Sequence, residues 1–310
     1  MSGYRVLTAQ QAEHFLDHGF VVIRKCFSRA AVAEFTRQLW DRLGYDEHDP
    51  ATWTQPRVHM PAHHTLNVRE FAPKAWDAVC DLIGGAERIA GEQPYVWNDG
   101  FIVNLGVGAD QPWAPATVAS PEWHKDGDFF RHFLDSPEQG LLTLVLWSDV
   151  QHQGGPTYVA TDSVRPVARF LADHPEGVYP LRPAAGEDRD PDAVLLPFDD
   201  LIAQCDDFTE ATGEAGDVFL LHPYVLHTRS QNVLRIPRII TNPPLTLGEP
   251  LRFDRPNPAD HSLVERAVLR ALDVDRYEFT PTRPRESIVS PRIAAQKSML
   301  AQEKQRLGAV

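Results

Sequence analysis

Between residues 95 and 242 the chain is cut into short apolar runs, and no other feature limits its fold as strongly. YVWNDGFIVNLG, LLTLVLWSDV, PTYVAT, DVFLLH and RIPRIITN are rich in β-branched and aromatic residues, and Gly, Pro or Asp turns separate them. Runs this short bury too little surface to stand alone, so they must pair into sheets. The pattern predicts a β-sandwich or barrel at the centre of the chain.

Helical patterns flank this region. Thr8 and Gln11 form a T-x-x-Q capping box ahead of AEHFLDHG, FVVIRK reads as a strand, and Ser28 is placed to cap RAAVAEFTRQLWDRLG. Residues 45–75, rich in Pro, His and Trp, read as a long loop, followed by a helix in KAWDAVCDLIGG stopped by glycine. After NPP, the segments SLVERAVLRALDVDRY and RIAAQKSMLAQEKQRL are amphipathic at helical spacing. There is no internal repeat and no linker composition. The expectation is therefore one domain over 1–310, mainly β with flanking helices. Its N-terminal helices cover about 8–92, its β core about 93–245 and its C-terminal helical segment about 258–310.

Composition narrows the function. With 310 residues and 43% apolar content the chain has enough apolar material for a substantial core. A net charge of -13 with dispersed arginines argues against nucleic acid as a partner. No apolar stretch approaches the roughly 18 residues of a membrane span, and the N-terminus lacks a basic segment followed by an apolar run, so a cytoplasmic location is expected. Cys26, Cys80 and Cys205 are odd in number and far apart, which predicts reduced, partly buried thiols. The expected partner is a small molecule; oligomeric state is not readable.

The chemistry is concentrated in WHKDGDFF, residues 123–130. If this segment is a strand, His124, Asp126 and Asp128 share one face. An H-x-D pair needs one more histidine to complete a 2-His-1-carboxylate facial triad for a divalent metal. GDVFLLHPYVLHTRSQN offers His222 and His227, and the spacing alone does not choose between them. Gly127 is placed to break the strand, which makes Asp128 a turn carboxylate. His59, His63 and His64 in RVHMPAHH suit a substrate loop better than a second metal. Asn104, polar inside FIVNLG, needs a buried partner, which the backbone can supply. Alternation in LLTLVLWSDV puts Thr143, Val145 and Trp147 on one face.

Taken in order, LTAQQAEHFLDHGFVVIRKCFS, WHKD, LWSDV, GGPTYV, GEAGDVFLLHPYVLHTRSQN and RIPRIIT resemble the phytanoyl-CoA dioxygenase family of iron(II)/2-oxoglutarate-dependent oxygenases, over roughly residues 7–242. The resemblance implies a double-stranded β-helix (jelly-roll, cupin-like) core. It implies His124, Asp126 and His227 as catalytic iron(II) ligands, with Arg238 gripping the distal carboxylate of 2-oxoglutarate; Arg235 is the nearby rival. It also implies Trp147 beside the co-substrate, with Thr143 and Asn104 close by. Two residues beyond the distal histidine the family often has a small hydroxyl residue. Here Arg229 stands there and Ser230 one position later, so Ser230 becomes the candidate hydroxyl contact. The chain has ATDSV where the family commonly has a P-G-S-H type turn.

The implied activity consumes 2-oxoglutarate and O2, releases succinate and CO2, and oxidises an unactivated C–H bond of a small metabolite or natural-product intermediate. A carboxylate at Asp126 argues against halogenation, because related halogenases keep a small residue there to admit chloride. The alternatives are a cupin-like isomerase or oxygenase that works without 2-oxoglutarate, or an inactive binding protein of the same fold.

Overall fold

The computed structural model describes residues 3–91, 94–180 and 193–308. Twelve strands fall within them: β1 (Phe20–Ile23), β2 (Arg57–His59), β3 (Thr65–Asn67), β4 (Val96–Asn98), β5 (Ile102–Asn104), β6 (Leu141–Leu146), β7 (Thr157–Ala160), β8 (Phe208–Glu210), β9 (Val218–Leu221), β10 (Leu226–Arg229), β11 (Arg238–Thr241) and β12 (Pro244–Leu245). The helices are α1 (Ala9–His18), α2 (Arg29–Thr36), α3 (Leu39–Leu43), α4 (Val68–Phe71), α5 (Pro73–Ile83), α6 (Val164–Ala172), α7 (Phe198–Ile202), α8 (Leu263–Leu272) and α9 (Pro291–Arg306).

The strands form a large antiparallel sheet in the order β1-β9-β6-β11-β5-β2, with β12 also on β6, and a small sheet in the order β10-β7-β8. The two face each other across a pocket, lined from the large sheet by His59, Ile102, Leu144, Leu221 and Ile240 and from the small one by Thr157 and His227. This is the jelly-roll arrangement expected from the sequence, and neither sheet closes into a barrel.

Local signals set the outer elements. Thr8 and Gln11 make the reciprocal capping box of α1, and the Ser28 hydroxyl accepts the Ala31 N–H at the start of α2. The helix expected to continue from there stops at Thr36, whose hydroxyl donates back to the Val32 carbonyl at 2.9 Å, and resumes as α3. Such back-bonding competes with the helix's own ladder. Gly84, at φ 86°, ends α5 as expected.

The stretch 45–75 is not a loop. It holds β2, which pairs with β5, and β3, which pairs with β4, followed by α4. Three-residue strands carry too little periodicity to be read alone, and it is their partners that fix them. The helices α6 and α7 lie within what reads as a purely β region.

The second C-terminal helix, α9, is tied down by charge. Arg42, 2% exposed, donates from Nε to Glu303 at 2.9 Å and from Nη1 to Asp99 at 3.0 Å. His63 and His64 belong to this network, through Glu303 and Asp99 respectively. Burial alone would raise the Asp99 carboxyl, but the N–H groups of His64 and His63, the His64 ring and Arg42 hold it below the usual range. These two histidines are thus structural, and of the three histidines in RVHMPAHH only His59 lines the pocket.

Candidate metal centre

His124 and His227 meet in a single antiparallel bridge, each N–H donating to the other's carbonyl at 3.1 and 2.8 Å. Residues 123–130 do not form the strand expected from the sequence. The chain bends after Lys125 and turns at Gly127, φ 115°, where a Cβ would lie 2.7 Å from the rings of His132 and Phe130. Asp126 therefore reaches the histidines through a bend, not through strand alternation.

Their donor atoms lie within 4.8 Å of one another, and this is the one such group among the described residues. Asp126 Oδ1 is 3.5 Å from His124 Nε2 and 3.6 Å from His227 Nε2. Each imidazole is oriented from behind. His124 Nδ1 donates to the Glu122 carbonyl at 2.8 Å and His227 Nδ1 to that of Val225 at 3.3 Å, which turns both Nε2 lone pairs toward the shared point. Asp126 Oδ2 accepts from Asn242 Nδ2 at 2.7 Å, leaving Oδ1 for a metal. Burial alone would raise the Asp126 carboxyl, but the two imidazoles hold it well below its ordinary value. Two imidazoles and one carboxylate form a donor set that suits iron(II).

His222 lies elsewhere. It is fully buried, accepts the Tyr224 N–H at Nδ1 and donates from Nε2 to the Val264 carbonyl, and burial lowers it to about 3. It is a neutral core residue.

Arg238 opens β11 and lines the same pocket, 3% exposed, with Nε and Nη1 lacking any partner among the described residues. Burial, then the proximity of Arg57, lowers its guanidinium to about 9. A buried cation with unmade hydrogen bonds is costly to leave alone, and a carboxylate satisfies it through two parallel bonds. The rival Arg235 sits at φ 52° with its guanidinium over the Trp53 ring and does not line the pocket.

The other candidates are placed differently. Thr143 and Trp147 lie on the far face of the large sheet. Thr143 is hydrogen-bonded to the Tyr95 hydroxyl at 2.8 Å, and Trp147 packs among Phe27, Phe35, Phe71 and Phe101 while donating to Thr241. Leu142 and Leu144 face the pocket instead. Asn104 stands opposite Arg238 in the register, yet its Oδ1 accepts the N–H groups of Gly106 and Val107 and it does not line the pocket. Ser230 donates to the Pro156 carbonyl at 2.6 Å, whereas Arg229 lines the pocket and pairs with Glu122 at 2.7 Å. Asp128 is no free turn carboxylate: Arg292 of α9 grips both its oxygens, and Ser290 donates to one.

Three residues not singled out from sequence complete the site. Lys125, buried beside Phe130, donates to the Asp126 carbonyl and to His132 Nδ1, while His132 Nε2 donates to the Gly127 carbonyl, pinning the loop that carries Asp126. Asn242 orients Asp126 itself. Its only sequence signal is a polar side chain directly after the run RIIT, which reads equally as the start of a turn. Asn242→Ala should weaken iron(II) binding about 10- to 100-fold without unfolding the protein, measured by equilibrium dialysis. An unchanged affinity would show that Oδ2 needs no anchor.

The family model for phytanoyl-CoA dioxygenase (PhyH) matches residues 15–239. No curated protein sequence matches the chain. Among solved structures, EctD from S. alaskensis with bound Fe is 18% identical, with 80% of this chain and 78% of that chain covered at a TM-score of 0.40. HygX from Streptomyces hygroscopicus, with nickel and 2-oxoglutarate bound, is 16% identical over 76% and 85% at 0.38. The carbocyclase SnoK from nogalamycin biosynthesis is 14% identical over 78% and 84% at 0.42.

Proposed function

The chain belongs to the phytanoyl-CoA dioxygenase family of non-haem iron(II)/2-oxoglutarate-dependent oxygenases, and on that premise we propose that His124, Asp126 and His227 hold the iron, that Arg238 holds 2-oxoglutarate, and that the enzyme oxidises a C–H bond of a small metabolite. One observation carries the reading: a three-donor cluster and a buried arginine with unmade hydrogen bonds share one pocket. When bound, iron(II), 2-oxoglutarate and O2 supply the oxidising chemistry, with succinate and CO2 as co-products.

The protein's own residues do the rest. The Glu122 and Val225 carbonyls and the Asn242 amide fix which atom each ligand presents, so the site is organised before metal arrives. Arg238 supplies a planar two-pronged donor at the far end of the co-substrate. Leu142, Leu144, Leu221 and Ile240 form an apolar wall that keeps the pocket dry on the large-sheet side. The cavity measures about 540 Å³, within the size range of small-molecule sites. It suits a compact substrate.

We read residues 1–310 as one domain, because α1 and α5 of the N-terminal part pack on α8 of the C-terminal part. No helix among the described residues is long and apolar enough to cross a membrane. The three cysteines are free and buried, which supports a reducing, cytoplasmic setting.

The test is succinate formation from 2-oxoglutarate by the iron(II)-loaded protein, screened across a metabolite panel. At least one compound should stimulate it. Failure to form succinate above the metal-free control with every compound would reject the reading.

A further inference from the structure

Charge is distributed unevenly along the pocket. Four arginines, Arg57, Arg229, Arg238 and Arg292, and Lys125, which is bonded to the Asp126 carbonyl and to His132, line it against three carboxylates, Glu122, Asp126 and Asp128. Asp126 is a metal ligand in the reading above. Arg292 is held by Asp128 at 2.8 Å and Arg229 by Glu122 at 2.7 Å. Iron(II) and 2-oxoglutarate carry equal and opposite charge, so loading the site with both adds nothing net. Among the four arginines one is left without a counter-charge, in a chain whose total is -13.

The residue left over is Arg57. Its nearest carboxylate is Glu122 at 3.9 Å, already bonded more closely by Arg229, and Arg57 makes no side-chain hydrogen bond among the described residues. It is half-buried on β2, where the register aligns Arg57 with Asn104 and Asn104 with Arg238, and His59 follows on the same face. Burial, then the neighbouring Arg229, lowers its guanidinium below the ordinary value, so the site bears an electrostatic cost that a bound anion would relieve.

A second set of unmade hydrogen bonds lies in the same pocket. Among the described residues Gln139, 2% exposed, has no partner for either amide atom, and the buried His59 Nε2 has none either. Burial lowers His59 to about 4, so its ring is neutral and available to a hydrogen-bonding group. The fold gains nothing from leaving such groups unsatisfied; a bound polar molecule satisfies them.

We propose that the substrate is a compact anion, carrying one carboxylate or phosphate that docks on Arg57, with its body along the Leu142, Leu144 and Ile240 wall. The proposal rests on the iron and 2-oxoglutarate reading above. It assigns Arg57 to the substrate and not to the co-substrate.

The test uses the zinc(II)-substituted protein saturated with 2-oxoglutarate, which cannot turn over. The probes are phenylacetate, benzyl phosphate and the neutral phenylacetamide, with affinities read by ligand-observed NMR. At least one anion should bind about 10-fold or more tightly than the amide. Arg57→Gln should reduce that preference to within about threefold, Arg57→Lys should retain much of it, and both should bind 2-oxoglutarate within about threefold of wild type. Whichever anion binds more tightly identifies the acid group.

Equal binding of anions and amide by wild type, including no binding of either anion at about 10 mM, would overturn the proposal. So would a preference that survives Arg57→Gln, or a loss of 2-oxoglutarate affinity in Arg57→Gln as large as in Arg238→Ala, which would place Arg57 in the co-substrate clamp. Failure of the underlying reading looks different: wild type would then bind no 2-oxoglutarate before any probe is added.

Discussion

Alanine at His124, Asp126 or His227 is expected to bring substrate-dependent succinate formation below detection and to weaken iron(II) binding by more than the about 100-fold that loss of an outer anchor costs. Each residue gives one donor atom to a group spanning 4.8 Å, and no other His, Cys, Asp or Glu among the described residues joins it. Two remaining donors do not enclose a metal. The fold should survive, since His124 and Asp126 are only partly buried and the His124–His227 bridge is made by backbone atoms. His222→Gln is the matched control: a histidine at the next best sequence position, but one bonded to the Val264 carbonyl and the Tyr224 N–H and not lining the pocket. It should retain iron. Metal content after desalting and circular dichroism separate the outcomes, and full iron occupancy in Asp126→Ala would remove Asp126 from the ligand set.

Much of this site was legible because its chemistry needs particular residue types in a particular order. His124, Asp126, His227 and Arg238 stand out by residue type and order, which no detail of the intervening loops alters, and all four line one pocket. The geometry by which they meet was not legible. The H-x-D spacing suggested a strand, whereas Gly127 and the Lys125–His132 contact make a bend that delivers Asp126 to the same point. Alternation correctly grouped Thr143, Val145 and Trp147 but could not say which face looks inward. Every residue of β6 is buried, so polarity does not distinguish the pocket side from the side packed under α2 and α4. The short strands β2 and β3 were invisible for a related reason: a three-residue run is defined by its partner. That is also why Arg57, on β2, attracted no notice in the sequence.

Arg238→Ala should cost about 2–4 kcal/mol of 2-oxoglutarate binding, or roughly 30- to 1,000-fold in affinity, while leaving iron(II) in place. The estimate follows from what the residue lacks. Nε and Nη1 are buried with no partner among the described residues, so Arg238 bears the desolvation of a charge without protein bonds that compensate it. A carboxylate supplies two charge-assisted bonds at once in a pocket where water competes poorly. Alanine removes both bonds and also removes the strained cation, so the loss is smaller than the gross strength of the pair. Arg238→Lys keeps a charge but replaces the planar fork with a single ammonium, and its affinity should fall between wild type and alanine. Arg235→Ala, which alters a residue stacked on Trp53 outside the pocket, should stay within a few-fold of wild type. Titrating 2-oxoglutarate into the anaerobic iron(II) protein and following the charge-transfer absorption reads all four proteins on one scale. If Arg235→Ala lost the co-substrate and Arg238→Ala kept it, the unmade bonds of Arg238 would require another ligand, and the anion proposed for Arg57 would be the first to try there.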